Sequence, residues 1–249
     1  MTEPNSPNAV VDDLLQRVSK IEPVPRRRFP RWMILVIILV LIGAGALLYY
    51  RFMPLDAPIP DLAGAHYAGL DQGYTEQGFP RLGSTGAPVI VEEFASYACS
   101  HCRDFHVEIF PSLLDEIAAG QVQFVLIPVP HIGLGAKSAA KGALCAGEQG
   151  EFWKMSDVLF DWQARFALFS FDERRIRKGA KNMGLDTAAF DRCMDGKDVE
   201  TILETTRSAF DRRGLSGTPS FFINGEEVRS YSEFENLSQL AQELSRGTP

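Results

Sequence analysis

From Trp32 to Tyr50 the chain runs WMILVIILVLIGAGALLYY, 19 residues without a charged side chain. At about 1.5 Å per residue a helix of that length spans about 28 Å, the thickness of a bilayer's hydrocarbon core. Trp32 at one end and Tyr49 and Tyr50 at the other are the amphipathic rings that favour the two interfaces. Arg26, Arg27, Arg28 and Arg31 precede the run, and the positive-inside bias therefore keeps the N-terminus in the cytoplasm. Everything after Tyr50 is expected on the extracytoplasmic, oxidising side. Ala44-Gly45-Ala46 could mimic a signal-peptidase site, but the leader is long and Leu47 to Tyr50 prolong the apolar stretch beyond it. An uncleaved single-pass anchor in a bacterial inner (cytoplasmic) membrane, with the remainder in the periplasm, is the expectation.

The rest of the chain is large enough for one sizeable core: of 249 residues 45% are hydrophobic. Residues 1–31 hold six basic and four acidic side chains, so a net charge of −7 overall leaves −9 for the remainder. An acidic domain without a basic patch excludes nucleic acid as a partner.

Val10, Leu14, Val18 and Ile21 recur at helical spacing, but an isolated helix this short is marginal in water, so residues 1–31 are read as a cytoplasmic tail. Residues 51–86 are rich in Pro and Gly and read as a tether, with a small hairpin possible around Gly78 to Gly83. The domain is expected to occupy residues 87–249.

That domain opens on Val89-Ile90-Val91-Glu92-Glu93-Phe94-Ala95, a β-rich run that leads directly into Cys99-Ser100-His101-Cys102. Phe105, Ile109, Leu113 and Ile117 then follow a helical period until Gly120, with Pro111 predicting a kink. Val122 to Val129 is a second strand, which completes a βαβ unit. Two cysteines three positions apart in a first helical turn lie on one face, close enough to form a disulfide. At a helix start Cys99 meets converging N–H groups and the positive end of the dipole, which favours thiolate over thiol and can lower a cysteine pKa from about 8.5 into the range of about 3.5 to 7.5. His101 can add a donor or a positive charge. Cys99 is therefore the expected nucleophile and Cys102, one turn deeper, the resolving thiol.

Other uses of the pair fit less well. Zinc would need a second pair of ligands at short spacing, and Cys145 and Cys193 stand 48 residues apart. Arg103 occupies the place where haem attachment requires histidine. No metal and no cofactor is expected.

From about residue 136 to 213 the pattern is helical throughout. Ala139, Ala140, Ala143 and Leu144 form a small-residue face, and Phe152, Trp153, Phe160 and Trp162 a bulky one, read with Phe166 and Phe169 as core rather than binding groove. Ser170-Phe171-Asp172-Glu173 has the form of a capping box, and Asp186 is a second candidate cap. His131 reads as a loop residue. The chain returns to strand at Gly217-Thr218-Pro219-Ser220-Phe221-Phe222-Ile223, turns at Asn224-Gly225, and ends in an amphipathic helix through Phe234, Leu237 and Ala241.

The succession VIVEEFASYACSHC, ALCAGEQGEFWKMSDVLF and GTPSFFING resembles the DsbA-like branch of the thioredoxin superfamily. The resemblance covers about residues 80 to 245. It implies an α/β thioredoxin-like fold with an all-helical insertion, preceded by one N-terminal transmembrane helix. It also implies a cis peptide before Pro219, so that Thr218 presents backbone to an extended substrate segment. Glu93 holds the position of the family's buried acid beneath the resolving cysteine, where a carboxyl can accept or return that thiol's proton, while Glu92 faces the other way. Some members carry a second disulfide in the insert. In an oxidising compartment Cys145 and Cys193 fit that role, the alternative being two buried small hydrophobes. Ser100 departs from the proline of strongly oxidising members, which leaves the potential anywhere between about −120 and −270 mV.

The implied activity is thiol:disulfide oxidoreduction that donates disulfides to reduced or unfolded exported proteins, with a quinone-linked membrane partner for reoxidation. A reductase or isomerase fed by a membrane electron donor, and a non-catalytic client-binding chaperone domain, are the competing readings.

Overall fold

The uncharged run has no side chain that would compete with the backbone, and it forms one continuous helix. In the computed structural model, which describes residues 7–19, 30–52, 55–166, 169–228 and 231–246, helix α2 covers Arg31–Phe52. Its segment Trp32–Tyr50 is long and apolar enough to cross a membrane. Residues 7 to 19 also differ from a plain tail: Pro7–Ser19 is a helix, α1, with Val11, Leu14, Leu15 and Val18 all exposed. Ile21 and the arginines at 26, 27 and 28 lie outside the described residues. The chain separates into two units, Met1–Pro54 and Leu55–Pro249.

The second unit begins earlier than its composition suggests. Leu55, Ala57 and Tyr67 are buried. The segment's carbonyls meet donors from two helices, α6 (Phe152–Phe166) and α7 (Glu173–Asn182). Trp162 Nε1 donates to Pro58 O at 2.8 Å, Lys178 Nζ to Leu55 O at 2.9 Å, and Asn182 Nδ2 to Ala57 O at 2.8 Å. The expected tether is thus part of the folded unit from Leu55 onward. Pro and Gly report local backbone geometry, not whether a segment's polar groups find partners elsewhere.

Six strands form one sheet in the order β1-β2-β4-β3-β5-β6. A hairpin of β1 (Gln72–Tyr74) and β2 (Pro80–Leu82) leads into it. Strands β3 (Val89–Ala95) and β4 (Val122–Pro128) are parallel, and the other pairs, including β5 (Ser220–Ile223) with β3 and with β6 (Glu226–Glu227), are antiparallel. Strand β4 is buried at every position, as a strand covered on both faces must be.

Alternation along β3 sorts two cores. Val89, Val91 and Ala95 belong to the larger, with Phe105, Phe110, Leu113 and Ile117 and most of the inserted helices. Phe94 faces the other way and packs with Val125, Ile127, Phe210 and Phe222. Glu92 shares that second face and pairs with Arg213 at 2.7 Å, whose guanidinium lies 4.0 Å over the Phe222 ring.

The parallel β3–β4 crossover is helical but not regular. It runs as α3 (Ser100–Asp104), a π turn over Phe105–Ile109, a 3-10 turn over Phe110–Leu113, and α4 (Leu114–Ala118). Pro111 has no N–H to give, so the regular ladder cannot pass through it. Gly120, at φ 71°, ends the element.

Between β4 and β5 stand α5 (Ala136–Gly147), α6, α7, α8 (Thr187–Met194) and α9 (Lys197–Arg212), and the chain closes with α10 (Leu237–Arg246). Asp172, rather than Ser170, caps α7 by accepting from Arg174 N, while Ser170 Oγ donates to Trp162 O. Asp186 caps α8 through Ala188 N and Ala189 N. A Cβ at Gly179 would overlap the Trp162 ring, so glycine there sets how closely α7 approaches α6.

Cys145 of α5 and Cys193 of α8 are joined by a disulfide, with their Cα atoms 5.6 Å apart. The bond closes a loop of 48 residues, which by chain entropy is worth about 2 to 4 kcal/mol. Replacing both cysteines with alanine is expected to lower the unfolding free energy by about that amount and to raise the m-value, because the unfolded chain without the crosslink exposes more surface. An unchanged unfolding free energy would show that the bond carries no stability.

Candidate active site

Where β3 ends, its chain turns rather than continuing, and three contacts fix the turn. Ser96 Oγ donates to Ile132 O at 2.6 Å, Val129 N to Ala95 O at 2.7 Å, and Gln163 Nε2 to Tyr97 O at 2.6 Å. Cys99 follows as the N-terminal flank of α3, in extended conformation at φ −93°, ψ 122°. Its side chain is half-buried, whereas Cys102 is fully buried and accepts the Ser96 N–H at 3.4 Å. Both cysteines are free thiols.

The sheet register brings the second half of the site to the first. Ser220 of β5 pairs with Phe94, near the end of β3. The two residues before it, Thr218 and Pro219, therefore lie beside the cysteine turn. Their peptide bond is cis. Cys99 Sγ stands 3.0 Å from Thr218 O, which can accept the S–H of the thiol form. Thr218 Oγ1 is buried with no hydrogen-bond partner, and the Thr218 side chain is among the groups that favour the thiolate. The two groups act in opposite directions, and the hydroxyl favours the ionised sulfur.

The Cys99 thiol is pulled down to about 5, first by the hydrogen bond from the Cys102 thiol, then by donation from Thr218 and from the backbone N–H groups of Cys102 and His101. Burial works against these. His101 takes part through its backbone: its imidazole is exposed and is not among the leading causes. The backbone N–H groups of His101 and Cys102 act together as a helix N-terminus. Burial pushes the Cys102 thiol far up, helped by its hydrogen bond to Cys99 and by the nearby charge of Glu93. One thiol is thus held ionised beside one held protonated.

Glu93 is fully buried, on the face of β3 that carries the larger core. Its Oε2 lies 2.7 Å from His106 Nε2, and its Oε1 has no hydrogen-bond partner. His106 was not singled out by the sequence. The available signal is its spacing, four residues after Cys102 and hence one turn further along the same helical face. Its ring stacks on Phe160 at 4.6 Å, meets Phe105 edge-on and lies tilted against Phe110 at 5.0 Å.

The remaining candidates fall outside this group. Cys145 and Cys193 belong to the insert. Phe152, Trp153, Phe160 and Trp162 are buried in the core, Phe166 lies under the Arg175 guanidinium at 3.6 Å, and Phe169 is half-exposed. His131 meets the Phe210 ring edge-on at 5.0 Å. Among the described residues no group of three or more His, Cys, Asp or Glu side chains is arranged to hold a metal.

A family model described as thioredoxin matches residues 75–243. The chain belongs to the thioredoxin family. A probable disulfide bond formation protein D of Bacillus cereus is 29% identical to this thioredoxin-family chain over 157 residues, covering 58% of it and 69% of the relative. A Na(+)/H(+) antiporter NhaA 3 of Salinispora tropica is 31% identical over 160 residues; the match covers 63% of this chain and 23% of the antiporter, so the likeness is to less than two thirds of that protein. Among solved structures, a thioredoxin-like oxidoreductase from Silicibacter pomeroyi superposes with a TM-score of 0.57 at 27% identity, covering 68% of this chain and 94% of that one. These likenesses agree with the thioredoxin-like fold described above.

Proposed function

We propose that this chain is a membrane-tethered thiol:disulfide oxidoreductase that introduces disulfides into exported proteins. The observation that carries the reading is the contrast between Cys99, partly accessible and held at about 5, and Cys102, buried and held protonated. A stabilised thiolate is a good leaving group, so a client thiolate that attacks the Cys99–Cys102 disulfide at Cys99 finds the reduced enzyme strongly favoured.

The client thiolate bonds to Cys99 Sγ, the Cys99–Cys102 bond breaks, and Cys102 leaves with the electron pair and takes up a proton, with Glu93 as its source. A second client thiolate then attacks the client sulfur, and Cys99 departs as thiolate. The client is oxidised by two electrons and the enzyme reduced by two. Thr218 and Pro219 would offer backbone to an extended client segment as an added strand. A quinone-linked membrane partner would reoxidise the pair. Helix α2 would hold the domain on the periplasmic side of the bacterial inner membrane with α1 in the cytoplasm.

The deciding experiment equilibrates the Cys99–Cys102 pair against a glutathione buffer and follows oxidation of a reduced, unfolded client. A potential above about −200 mV with stoichiometric client oxidation is expected. A value near about −270 mV would replace the oxidase by a reductase. Client binding and full biological rescue by a Cys99→Ser, Cys102→Ser protein would instead support a chaperone.

A further inference from the structure

The Cys102 step needs a proton path, and Glu93 alone cannot provide one. A carboxyl with no exposed surface does not exchange protons with water directly, and Glu93 is at 0%. His106, bonded to it, has 5% of its side chain exposed and lines a cavity of about 470 Å³ with Tyr67, Arg103, Val107, Asp157 and Phe160. Val107 is 65% exposed, so this cavity reaches the surface. The Phe160 stack, the edge-on Phe105 contact and the tilted Phe110 ring fix the plane of the imidazole between carboxyl and cavity. With Nε2 committed to Glu93, Nδ1 is the nitrogen left to exchange with water.

We infer that His106 is the positioning residue of the resolving step: it holds Glu93 beside Cys102 and carries the proton between that carboxyl and the solvent-open cavity. The inference rests on the redox reading of the cysteine pair and adds a route to it. When Cys102 is released as thiolate, it takes the one proton that the carboxyl–imidazole pair holds beyond the ring's own N–H, which leaves a carboxylate and a neutral ring. The cavity reloads the pair from water. When Cys102 attacks Cys99 in the reverse sense, its proton passes to the pair and out.

The groups that face this pair are Asp157 and Asp161 of α6, Tyr67 and His66 of the segment before β1, Arg103 of α3 and Tyr97 of the turn after β3. Asp157 is itself occupied: it accepts from Gly64 N and from Tyr67 Oη, each at 2.8 Å. It sets the local charge without replacing His106 as the partner of Glu93.

The test is the single-turnover rate at which Cys102 resolves a preformed Cys99–glutathione mixed disulfide, followed from pH 5 to 8. In His106→Gln, where an amide can still bond Glu93 but cannot carry a proton, the rate is expected to fall at least about tenfold, with loss of the native pH profile. The Cys99 thiolate titration should stay in place. In His106→Ala, free imidazole entering the cavity should restore the rate, which a purely structural role would not permit. A native rate and profile in His106→Gln would overturn the inference. If neither variant folds, the native protein decides: resolution of the mixed disulfide must slow when the solvent is changed from H2O to D2O, and a rate unchanged by that replacement would overturn the inference. Failure of the oxidase reading is separable, because it appears as absent client oxidation by the native protein whatever the resolution rate.

Discussion

Serine at position 102 is expected to stop turnover and leave Cys99 able to form, but not to resolve, a disulfide with its client. Cys102 is the thiol hydrogen-bonded to Cys99, and it approaches from the buried side where no client sulfur can reach. Without it, a mixed disulfide at Cys99 has no internal nucleophile to break it, and dithiol–disulfide exchange should drop by about a hundredfold or more. On a non-reducing gel the variant, incubated with a client disulfide, should run as a covalent complex that dithiothreitol releases. Comparing serine with alanine adds a second readout. The hydrogen bond from position 102 is the largest cause of the low Cys99 pKa, and a serine hydroxyl can keep it. Cys99 should titrate higher in Cys102→Ala than in Cys102→Ser. Normal turnover in either variant would remove Cys102 from the reaction.

The second large effect is a pH dependence confined to the dithiol form. Cys99 falls from an ordinary 9.0 to about 5, so ionisation favours the folded dithiol. For a depressed pKa the gain is complete above the unfolded value and vanishes as pH falls through the folded one. The disulfide form has no thiolate and gains nothing. The stability of the dithiol form relative to the disulfide form should therefore decline as pH is lowered from about 8.5 to 5, and flatten below that. Above about 8.5 the sign reverses, because Cys102 keeps its proton in the folded state while an unfolded cysteine loses it. Urea unfolding of both forms across this range, with the ultraviolet absorbance of the thiolate as a parallel titration, tests the assignment. Two parallel stability curves would refute it.

The reaction centre was readable wherever the chemistry was carried by neighbours in sequence. Val89 to Ala95 announces a strand by its composition, and the cysteine spacing announces a face. Three-dimensional closure was less readable. That the Pro- and Gly-rich segment packs against the insert depends on donors at Trp162, Lys178 and Asn182, more than a hundred residues away, and no local pattern reports such pairing. His106 was hidden for a related reason: a histidine in an amphipathic helix is unremarkable until a buried acid on another element is known to face it. His101, within the motif itself, drew attention by adjacency, yet the residue is exposed and it is its backbone N–H that faces the Cys99 sulfur.

The strand pairing also dictates the order in which the site can be completed. Cys99 meets Thr218 across 119 residues of chain, and a ribosome makes the cysteines long before the proline loop that flanks them. Until β5 is synthesised and docked against β3, Cys99 and Cys102 stand on a half-built sheet with Cys145 already made and its own partner, Cys193, still to come. A newborn chain therefore passes through a stage in which three cysteines coexist without the fourth. Vectorial synthesis sets the protein the same sorting problem that its mature form would solve for others.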